Sequence, residues 1–306
     1  MPARILAPDE AAYAEAARIL RAGGLVAFPT ETVYGIGANA LDARAVARIF
    51  EAKGRPSDNP IIVHVADAQA ARELASPWPA AAEPLAEAGW PGPLTLVVEK
   101  ADVIPDIVTA GGPTVGLRVP DHPVATALLR AAALPIAAPS ANRSEAVSPT
   151  TARHVADSLG PFVDDLLILD GGPCAVGIES TVVDVTGGTP VTLRPGMFRL
   201  EEAGLGAKTP GTRGGGPARS PGQKPRHYAP SKPLVLLEEG TAEGAERPGD
   251  ALLVLGDDPE TAAARLYAEL HRLSADPDVA RILVERPPQD EAWAGIRDRL
   301  RRAASD

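Results

Sequence analysis

The side chains best suited to chemistry fall between positions 27 and 64, in two groups. The first is the segment TETVYG at 30–35, which concentrates hydroxyls, a carboxylate and a phenol in the connection after a predicted strand. The second is the cation pair Lys53 and Arg55, in which arginine offers a planar fork to phosphate oxygens and lysine a compact point charge. Together they indicate a site for a small anion. Lys53 is equally consistent with a surface cation that complements the dipole of a helix ending there.

Further polar side chains stand at predicted strand ends and in turns, where the ligand crevice of an open α/β sheet forms. Arg118 interrupts an apolar strand and therefore needs an anionic partner. His64 alternates with valines, a position equally consistent with a half-buried structural histidine. A turn explains Ser140 and Asn142 equally well, and an ordinary β-preference explains the pair at 180–181. The remaining members of this polar set are Thr30, Thr32, Asn59, Ser148, Ser180, Thr181 and Arg194.

Several standard sites are missing from the sequence. It has no P-loop, no complete dinucleotide fingerprint, no nucleophile elbow and no H-E-x-x-H pair. The five histidines are scattered, and the single cysteine, Cys174, excludes an internal disulfide framework and a multi-cysteine metal site. Nucleophilic or metal-dependent hydrolysis is therefore disfavoured. The net charge of −10 argues against non-specific nucleic-acid binding over the whole surface.

The elements that must position these residues alternate between helix and strand in the first half of the chain, and strands then cluster. This order predicts a twisted, open, mixed α/β sheet rather than a regular doubly wound one. Predicted helices cover 9–22, 42–54, 122–133 and 150–159. Predicted strands cover 25–28, 61–64, 94–99, 114–120, 134–138, 166–169, 180–185 and 191–193. No run approaches 18 apolar residues and no signal peptide is apparent, so we expect a cytoplasmic protein without a membrane span.

Composition divides the chain into three parts. Residues 1–202 hold the predicted catalytic domain, and 203–232 form a Gly- and Pro-rich linker whose charges are all positive. A smaller α/β domain is predicted for residues 233–306, with strands at 234–237, 251–255 and 279–285 and helices at 261–273 and 290–304. The arginines on the polar side of the last helix are interpreted as a solvated face. The linker is either an inert tether or, because it spans roughly 30 Å, long enough to cross one face of a domain.

Six motifs occur in order across nearly the whole first 200 residues: FPTETVYG, KGRPSDNP with IIVH, GLRVP, APSAN followed by SPT, ESTVVD, and LRPG. Together they resemble the signature of the YrdC-like threonylcarbamoyl-AMP synthases. The segment SPGQKPRHYAP resembles the connector of the longer, two-domain branch of that family. The resemblance implies a twisted open α/β sheet around a positively lined cavity, followed by a small Rossmann-like domain. It also implies a reaction in which L-threonine, bicarbonate or CO₂, and ATP give threonylcarbamoyl-adenylate and pyrophosphate.

The resemblance further implies roles for individual residues. Lys53 and Arg55 are the expected catalytic cations. Because the carbamate of this reaction decomposes readily, we also expect the linker to form a lid, with Tyr228, Lys224, Arg226 and His227 reaching over the nucleotide. The implied ATP-binding residues are Lys53, Arg55, Asn59, Ser140, Asn142, Ser148, Arg194 and Tyr228. The implied threonine-binding residues are Thr32, His64, Arg118, Ser140, Ser180 and Thr181.

Mg²⁺ is expected to arrive with ATP rather than in a protein cage. The implied partners are a downstream threonylcarbamoyl-transferase complex and, through a weak contact, tRNA. The alternative is a non-catalytic RNA-binding module, which the acidic charge and the 4% aromatic content disfavour. A carbamoyl-phosphate-using maturation enzyme is a further alternative, but such chains carry Cys-rich zinc motifs that this sequence lacks.

Overall fold

The structure is a computed structural model that describes residues 2–201, 204–206, 227–238, 241 and 247–305. Within these residues the strands form two sheets, one of ten strands and one of three. The strands of the large sheet are β1 Arg4–Leu6, β2 Val26–Pro29, β3 Tyr34–Asn39, β4 Val63–His64, β5 Leu94–Glu99, β6 Thr114–Arg118, β7 Ile136–Ala137, β8 Leu167–Leu169, β9 Thr181–Asp184 and β10 Val191–Arg194. The strands of the small sheet are β11 Leu234–Leu237, β12 Asp250–Leu253 and β13 Arg281–Glu285.

The large sheet is mixed, in the order β1-β8-β2-β3-β7-β4-β6-β5-β9-β10. Its pairings include parallel ones, such as β4 with β6 and β5 with β9, and antiparallel ones, such as β2 with β3 and β5 with β6. The prediction of a mixed α/β sheet with a second, smaller α/β domain is therefore confirmed.

Helices cover both faces of the large sheet, because its central strands are apolar on both sides. All four residues of β2 are buried. The helices of this part of the chain are α1 Glu10–Arg21, α2 Ala43–Lys53, α3 Ala68–Glu73, α4 Ala82–Gly89, α5 Pro123–Ala132 and α6 Ala152–Leu159. Helices α1 and α5 share one apolar core with β2 and β8, whereas α2 packs in a second core on the other face.

The strand that pairs with β2 was not predicted from the sequence, because the residues at its start were assigned to a polar loop. Tyr34–Asn39 is a buried strand antiparallel to β2. Its glycines made it look like a connection, but they are there for close packing. A Cβ atom on Gly37 would lie 2.7 Å from Cγ2 of Ile136 and 2.8 Å from Cε1 of Phe28. The phenol of Tyr34 is structural too, because it donates to the backbone oxygen of Gly172 at 2.7 Å.

The small sheet is parallel, in the order β11-β13-β12, and packs with α7 Pro259–Ala275 and α8 Ala294–Ala303. Its apolar core also includes Val33, Val147 and Ile178 from loops around the large sheet. The two sheets are thus joined by a common apolar contact.

One prediction about α8 is wrong. The arginines of this helix were expected to form a solvated face, but the side chain of Arg299 is fully buried and contacts Glu179 of the large domain. The same prediction holds for Arg301, whose side chain is 70% exposed. Among the residues that the structure describes, no helix has the length and apolar character required to cross a membrane.

Candidate active site

Polar side chains from several strand ends converge on one cavity, whose empty space, counted together with its opening to solvent, is about 540 Å³. Its place outside the strand ends is where ligands bind in open α/β sheets. Eight of the thirteen residues to which the family resemblance gave a catalytic or binding role line it: Thr32, Arg55, His64, Arg118, Ser140, Ser180, Arg194 and Tyr228. The other five are buried without lining it: Lys53, Asn59, Asn142, Ser148 and Thr181.

The turn after α2 directs both predicted cations inward. Gly54 ends the helix in the left-handed conformation, at a φ of 59°, which glycine adopts without strain. Lys53 and Arg55, on either side of it, are consequently 2% and 8% exposed. Arg55 reaches the cavity and donates to the backbone oxygens of Asn59 and Pro60, at 3.3 Å and 2.9 Å from Nη2. Asn59 therefore supports this cation through its backbone.

Burial lowers the pKa of both cations. The pKa of Arg55 falls to about 10, so its guanidinium stays charged at neutral pH. The pKa of Lys53 falls well below its ordinary value because of burial and, secondarily, because of Arg55 and Arg143. The Lys53 ammonium donates to the backbone oxygens of Ser140, which lines the cavity, and of Asn142. A polyphosphate next to this ammonium would favour its charged form.

The side chain of Asn142 holds the loop behind Ser140. Its Nδ2 donates to the backbone oxygens of Arg143 and Ala146, both at 2.7 Å. Its Oδ1 is buried and has no hydrogen-bond partner. The loop that carries Ser140 is thus fixed both by this amide and by the Lys53 ammonium.

Arg118 and His64 face each other across the parallel strands β6 and β4, where they are paired in register. Arg118 is only 3% exposed, and it has the anionic partner that we expected for a cation in an apolar strand. Its Nη2 lies 2.6 Å from Oε1 of Glu31. Its Nη1 donates to Oγ1 of Thr32 at 2.9 Å, and its Nε donates to the backbone oxygen of Gly92 at 3.2 Å. A cation, a hydroxyl and an imidazole are therefore grouped on this side of the cavity.

The imidazole of His64 is neutral at physiological pH. Burial lowers its pKa to about 3, and the positive charge of Arg118 acts in the same direction. Its ring meets Phe28 edge to face, with the ring centroids 6.2 Å apart. A neutral histidine at this position can accept or donate a hydrogen bond to a polar substrate group.

Ser180 and Arg194 close another part of the wall. Arg194 donates from Nε and Nη2 to the backbone oxygen of Ser180, at 3.1 Å and 3.0 Å, and from Nη2 to its hydroxyl at 3.1 Å. The same hydroxyl lies 2.8 Å from Oγ1 of Thr95. Thr181 is different, because its hydroxyl donates to the backbone oxygen of Phe198 at 2.8 Å. Thr181 therefore holds the chain after β10.

Glu179 is a cavity residue to which the sequence interpretation gave no role. Ser148 donates to its Oε1 at 2.5 Å, so this serine reaches the site only through the carboxylate. Burial by itself would raise the pKa of Glu179, but the charges of Arg299 and Arg194 and the Ser148 hydrogen bond lower it to about 2. The carboxylate is thus ionised at neutral pH in a wall that otherwise carries cations.

His227 and Tyr228, at the end of the linker, contribute to the wall of the cavity. Both line it and both are buried, with exposed fractions of 8% and 1%. The segment is tied to both domains: the backbone nitrogen of His227 donates to Arg302 in α8, and that of Ala229 donates to Glu145 in the large domain. Lys224 and Arg226, the other residues expected in the lid, lie outside the described residues.

Two family models match this chain in succession. The first, described as "Telomere recombination", matches residues 18–196, and the second, described as "Threonylcarbamoyl-AMP synthase, C-terminal domain", matches residues 197–305. Among curated relatives, the threonylcarbamoyl-AMP synthase of Pyrococcus abyssi is 42% identical over 94% of this chain and 93% of its own length.

The chain belongs to the threonylcarbamoyl-AMP synthase family. The threonylcarbamoyl-AMP synthase of Bacillus subtilis is 49% identical over 76% of this chain and 68% of its own length. Among solved structures, P. abyssi Sua5 complexed with L-threonine superimposes with a TM-score of 0.89 at 39% identity, covering 99% of this chain and 98% of that one. The threonylcarbamoyl-AMP synthase family predicted from the motifs is confirmed, as is its two-domain branch.

Within this family's fold, Glu31 and Glu179 are the two cavity-side carboxylates that sequence reasoning left without a role. Both stand inside quoted motifs, FPTETVYG and ESTVVD, but a carboxylate alone does not reveal its partner. Glu31 pairs with a residue 87 positions away and Glu179 with one 120 positions away. Only the tertiary structure connects them.

Proposed function

We propose that this protein is a threonylcarbamoyl-AMP synthase that condenses L-threonine, bicarbonate or CO₂, and ATP into threonylcarbamoyl-adenylate and pyrophosphate. The observation that carries the proposal is that a single cavity is lined by the cations Arg55 and Arg194 and by the Arg118, Thr32 and His64 group. Such a cavity suits a triphosphate and an amino acid side by side. The names of the relatives support this proposal.

The chemistry needs positioning rather than a protein nucleophile. The neutral amine of threonine adds to the carbon of CO₂, so that a nitrogen–carbon bond forms, one C=O π bond opens and a proton is released to solvent. An oxygen of the resulting carbamate attacks the α-phosphorus of ATP. A bond from that oxygen to phosphorus forms, the bond from the α-phosphorus to the bridging oxygen breaks, and pyrophosphate leaves. In-line substitution of this kind is accelerated by alignment and by charge neutralisation.

The cations divide between the two substrates. Arg55 and Lys53 neutralise the phosphates. Lys53 is held in place by its hydrogen bonds to the backbone oxygens of Ser140 and Asn142. Arg194 lies on the nucleotide side, beside Ser180. Arg118 holds the threonine carboxylate, while Thr32 and His64 contact the remaining polar groups of the amino acid. Ser148, Asn59 and Thr181 act through their neighbours rather than by direct contact.

Mg²⁺ enters this scheme as part of the substrate, bound to the phosphates of ATP. In the described part of the chain, no group of three or more His, Cys, Asp and Glu side chains is arranged to hold a metal ion. The cavity wall instead offers arginine donors to phosphate oxygens. The metal would shield phosphate charge while the protein orients the triphosphate.

Water must be kept out during the reaction, because the carbamate decomposes readily. His227 and Tyr228 line the cavity and are almost completely buried. The linker end is therefore the lid that separates the bound carbamate from solvent. The adenylate then passes to a downstream transferase complex that modifies tRNA, and the tRNA itself makes at most a weak contact with this chain.

The decisive experiment measures pyrophosphate release from ATP and Mg²⁺, omitting threonine and bicarbonate in turn, with mass spectrometry of the product. We expect release only when both are present, together with the mass of threonylcarbamoyl-adenylate. Release without threonine would assign the cavity to another acceptor. No release combined with tight RNA binding would favour the non-catalytic RNA-binding module.

A further inference from the structure

A cluster of side chains from both domains meets at one wall of the cavity. Its centre is the carboxylate of Glu179, which accepts hydrogen bonds from Ser148 at 2.5 Å, from Nε of Arg299 at 2.8 Å and from the hydroxyl of Tyr267 at 3.0 Å. Ser148 and Glu179 come from the large domain, whereas Tyr267 and Arg299 come from α7 and α8. The second domain thus reaches the cavity wall through this carboxylate.

The same two residues of the second domain enclose Tyr228 of the lid. The guanidinium carbon of Arg299 lies 5.3 Å from the centre of the Tyr228 ring, within the range of a cation–π contact. The ring of Tyr267 stacks on the ring of Tyr228, with centroids 5.8 Å apart and an interplanar angle of 25°. Tyr228 has a φ of 62°, which is costly for a residue other than glycine and persists only where the surroundings impose it.

Arg299 is held rigidly enough to act as such a support. Its side chain is fully buried, Nη1 donates to the backbone oxygen of Pro195 at 2.7 Å, and Nη2 donates to that of Glu179 at 3.1 Å. A buried ion pair adds little to stability compared with apolar residues of the same size, whereas it can fix one arrangement of its neighbours. Here the neighbours are a cavity carboxylate and the lid tyrosine.

We infer that Arg299 and Tyr267 are positioning residues of the active site, which hold Glu179 and Tyr228 in place on the nucleotide side of the cavity. This inference rests on the proposed function of the cavity. It makes the second domain of this chain a working part of the adenylate-forming site, acting through two contacts rather than by touching substrate.

The test uses substitutions in the full-length protein. Arg299→Met removes the support, and Arg301→Met is its matched control on the same helix, because Arg301 is exposed and pairs only with Asp298 among the contacts described. Tyr267→Phe removes a single hydroxyl and keeps the ring. Arg299→Lys restores the charge without the planar fork, and Glu179→Gln combined with Arg299→Met removes the uncompensated carboxylate.

We expect Arg299→Met to lower kcat/KM for ATP at least tenfold while the dissociation constant of threonine changes less than twofold. Tyr267→Phe should lower kcat/KM for ATP three- to tenfold, and Arg299→Lys should recover part of the loss. The double variant should regain thermal stability but not activity. Arg301→Met should behave as the wild type in all these measurements.

Equal kcat/KM for ATP in Arg299→Met, Tyr267→Phe and Arg301→Met would overturn the inference. Recovery of activity together with stability in the double variant would overturn it as well, because the role would then be structural. If Arg299→Met does not fold, the kcat/KM for ATP of Tyr267→Phe decides whether the inference holds. A wild-type protein that releases no pyrophosphate would overturn the proposed function instead, and binding of a fluorescent ATP analogue to the same variants would still decide the inference.

Discussion

Arg118 and Glu31 form a buried ion pair beside the cavity, with Nη2 of Arg118 2.6 Å from Oε1 of Glu31 and side chains that are 4% and 9% exposed. The second oxygen of Glu31 accepts from the backbone nitrogen of Asp121 at 3.2 Å. The carboxylate therefore fixes the guanidinium in an apolar strand, where an unpaired charge would be costly.

Removing one partner of this pair should be strongly destabilising. We expect Glu31→Ala to lower the free energy of unfolding by about 3–5 kcal/mol, because it leaves Arg118 buried and uncompensated. Adding Arg118→Met should recover part of that loss in a double-mutant cycle measured by denaturant unfolding. The control is Asp157→Ala, which breaks the exposed pair with Arg153 and should cost about 0.5 kcal/mol or less. Equal losses for Glu31→Ala and Asp157→Ala would contradict this account.

Lys53 should matter for turnover as well as for stability, because its ammonium donates to the backbone oxygens of Ser140 and Asn142. Lys53→Met keeps most of the buried volume but removes the cation that the proposed function assigns to the phosphates, so we expect kcat to fall by about 10²-fold or more. The assay is pyrophosphate release at saturating ATP and threonine, with circular dichroism to verify folding. Arg44→Met, an exposed cation on the same helix, should leave the rate unchanged. A similar rate in Lys53→Met and the wild type would remove Lys53 from the site.

The contact between the two domains depends on Gly177. This residue has a φ of 79°, and a Cβ atom there would lie 2.3 Å from the backbone oxygen of Ala263 and 2.5 Å from Cα of Ala264, both in α7. Gly188 has a similar φ of 74° but nothing within 4 Å of its Cβ position, which makes it a matched control for the backbone strain. Gly188→Ala should cost about 1–2 kcal/mol of stability.

Gly177→Ala should cost clearly more than Gly188→Ala, because α7 must move away to make room. Since α7 carries Tyr267, we also expect an increased KM for ATP in Gly177→Ala alone. Thermal unfolding and steady-state kinetics of the two variants provide the comparison. If the two substitutions had equal effects on both quantities, the close approach of α7 would be unimportant.

His154 and His271 stack across the domain contact, with ring centroids 3.9 Å apart and an interplanar angle of 19°. Nε2 of His271 lies 3.1 Å from the backbone oxygen of Ser148. Burial lowers the pKa of both, that of His154 to about 4 with a further contribution from His271, while the nearby Asp157 acts in the opposite direction. Protonating both rings would place two positive charges face to face.

Acid should therefore weaken the fold. The unfolded chain takes up protons near pH 6.5, whereas His154 in the folded protein does so near pH 4, so the unfolded state binds more protons between these values. Stability should fall as the pH drops from 6.5 to 4. His154→Gln should reduce this loss by on the order of 1 kcal/mol, measured by urea unfolding across that range. The lowered pKa values of His64 and His227 affect the wild type and His154→Gln equally. If the free energy of unfolding fell with pH in parallel for the two proteins, the stacked pair of His154 and His271 would be excluded as a contributor.

The helices with clear caps could be predicted closely from the sequence. The predicted helices at 9–22 and 42–54 begin at Asp9 and Asp42, which cap α1 and α2, and the second range ends at Gly54, the C-cap of α2. These signals are local, because a cap satisfies backbone groups within one helical turn. The helix predicted at 150–159 starts one residue too early, because Thr151 is the residue that caps α6. Strand β1 was not predicted at all, because three residues carry too little periodicity to be recognised.

The sequence by itself determined the family, the mixed α/β class and most of the side chains around the cavity, because those motifs lie at strand ends and a sheet brings such ends together. Only the tertiary structure decided which charges are paired and which are solvated. Most of the nearest sequence neighbours of Arg299 in α8 are charged, as they are for a surface arginine. The residue is nevertheless buried, because its guanidinium pairs with the carboxylate of Glu179, 120 residues earlier. Hydrophobic and capping patterns repeat over a few residues, whereas a buried ion pair joins any two positions that the fold brings within hydrogen-bonding distance.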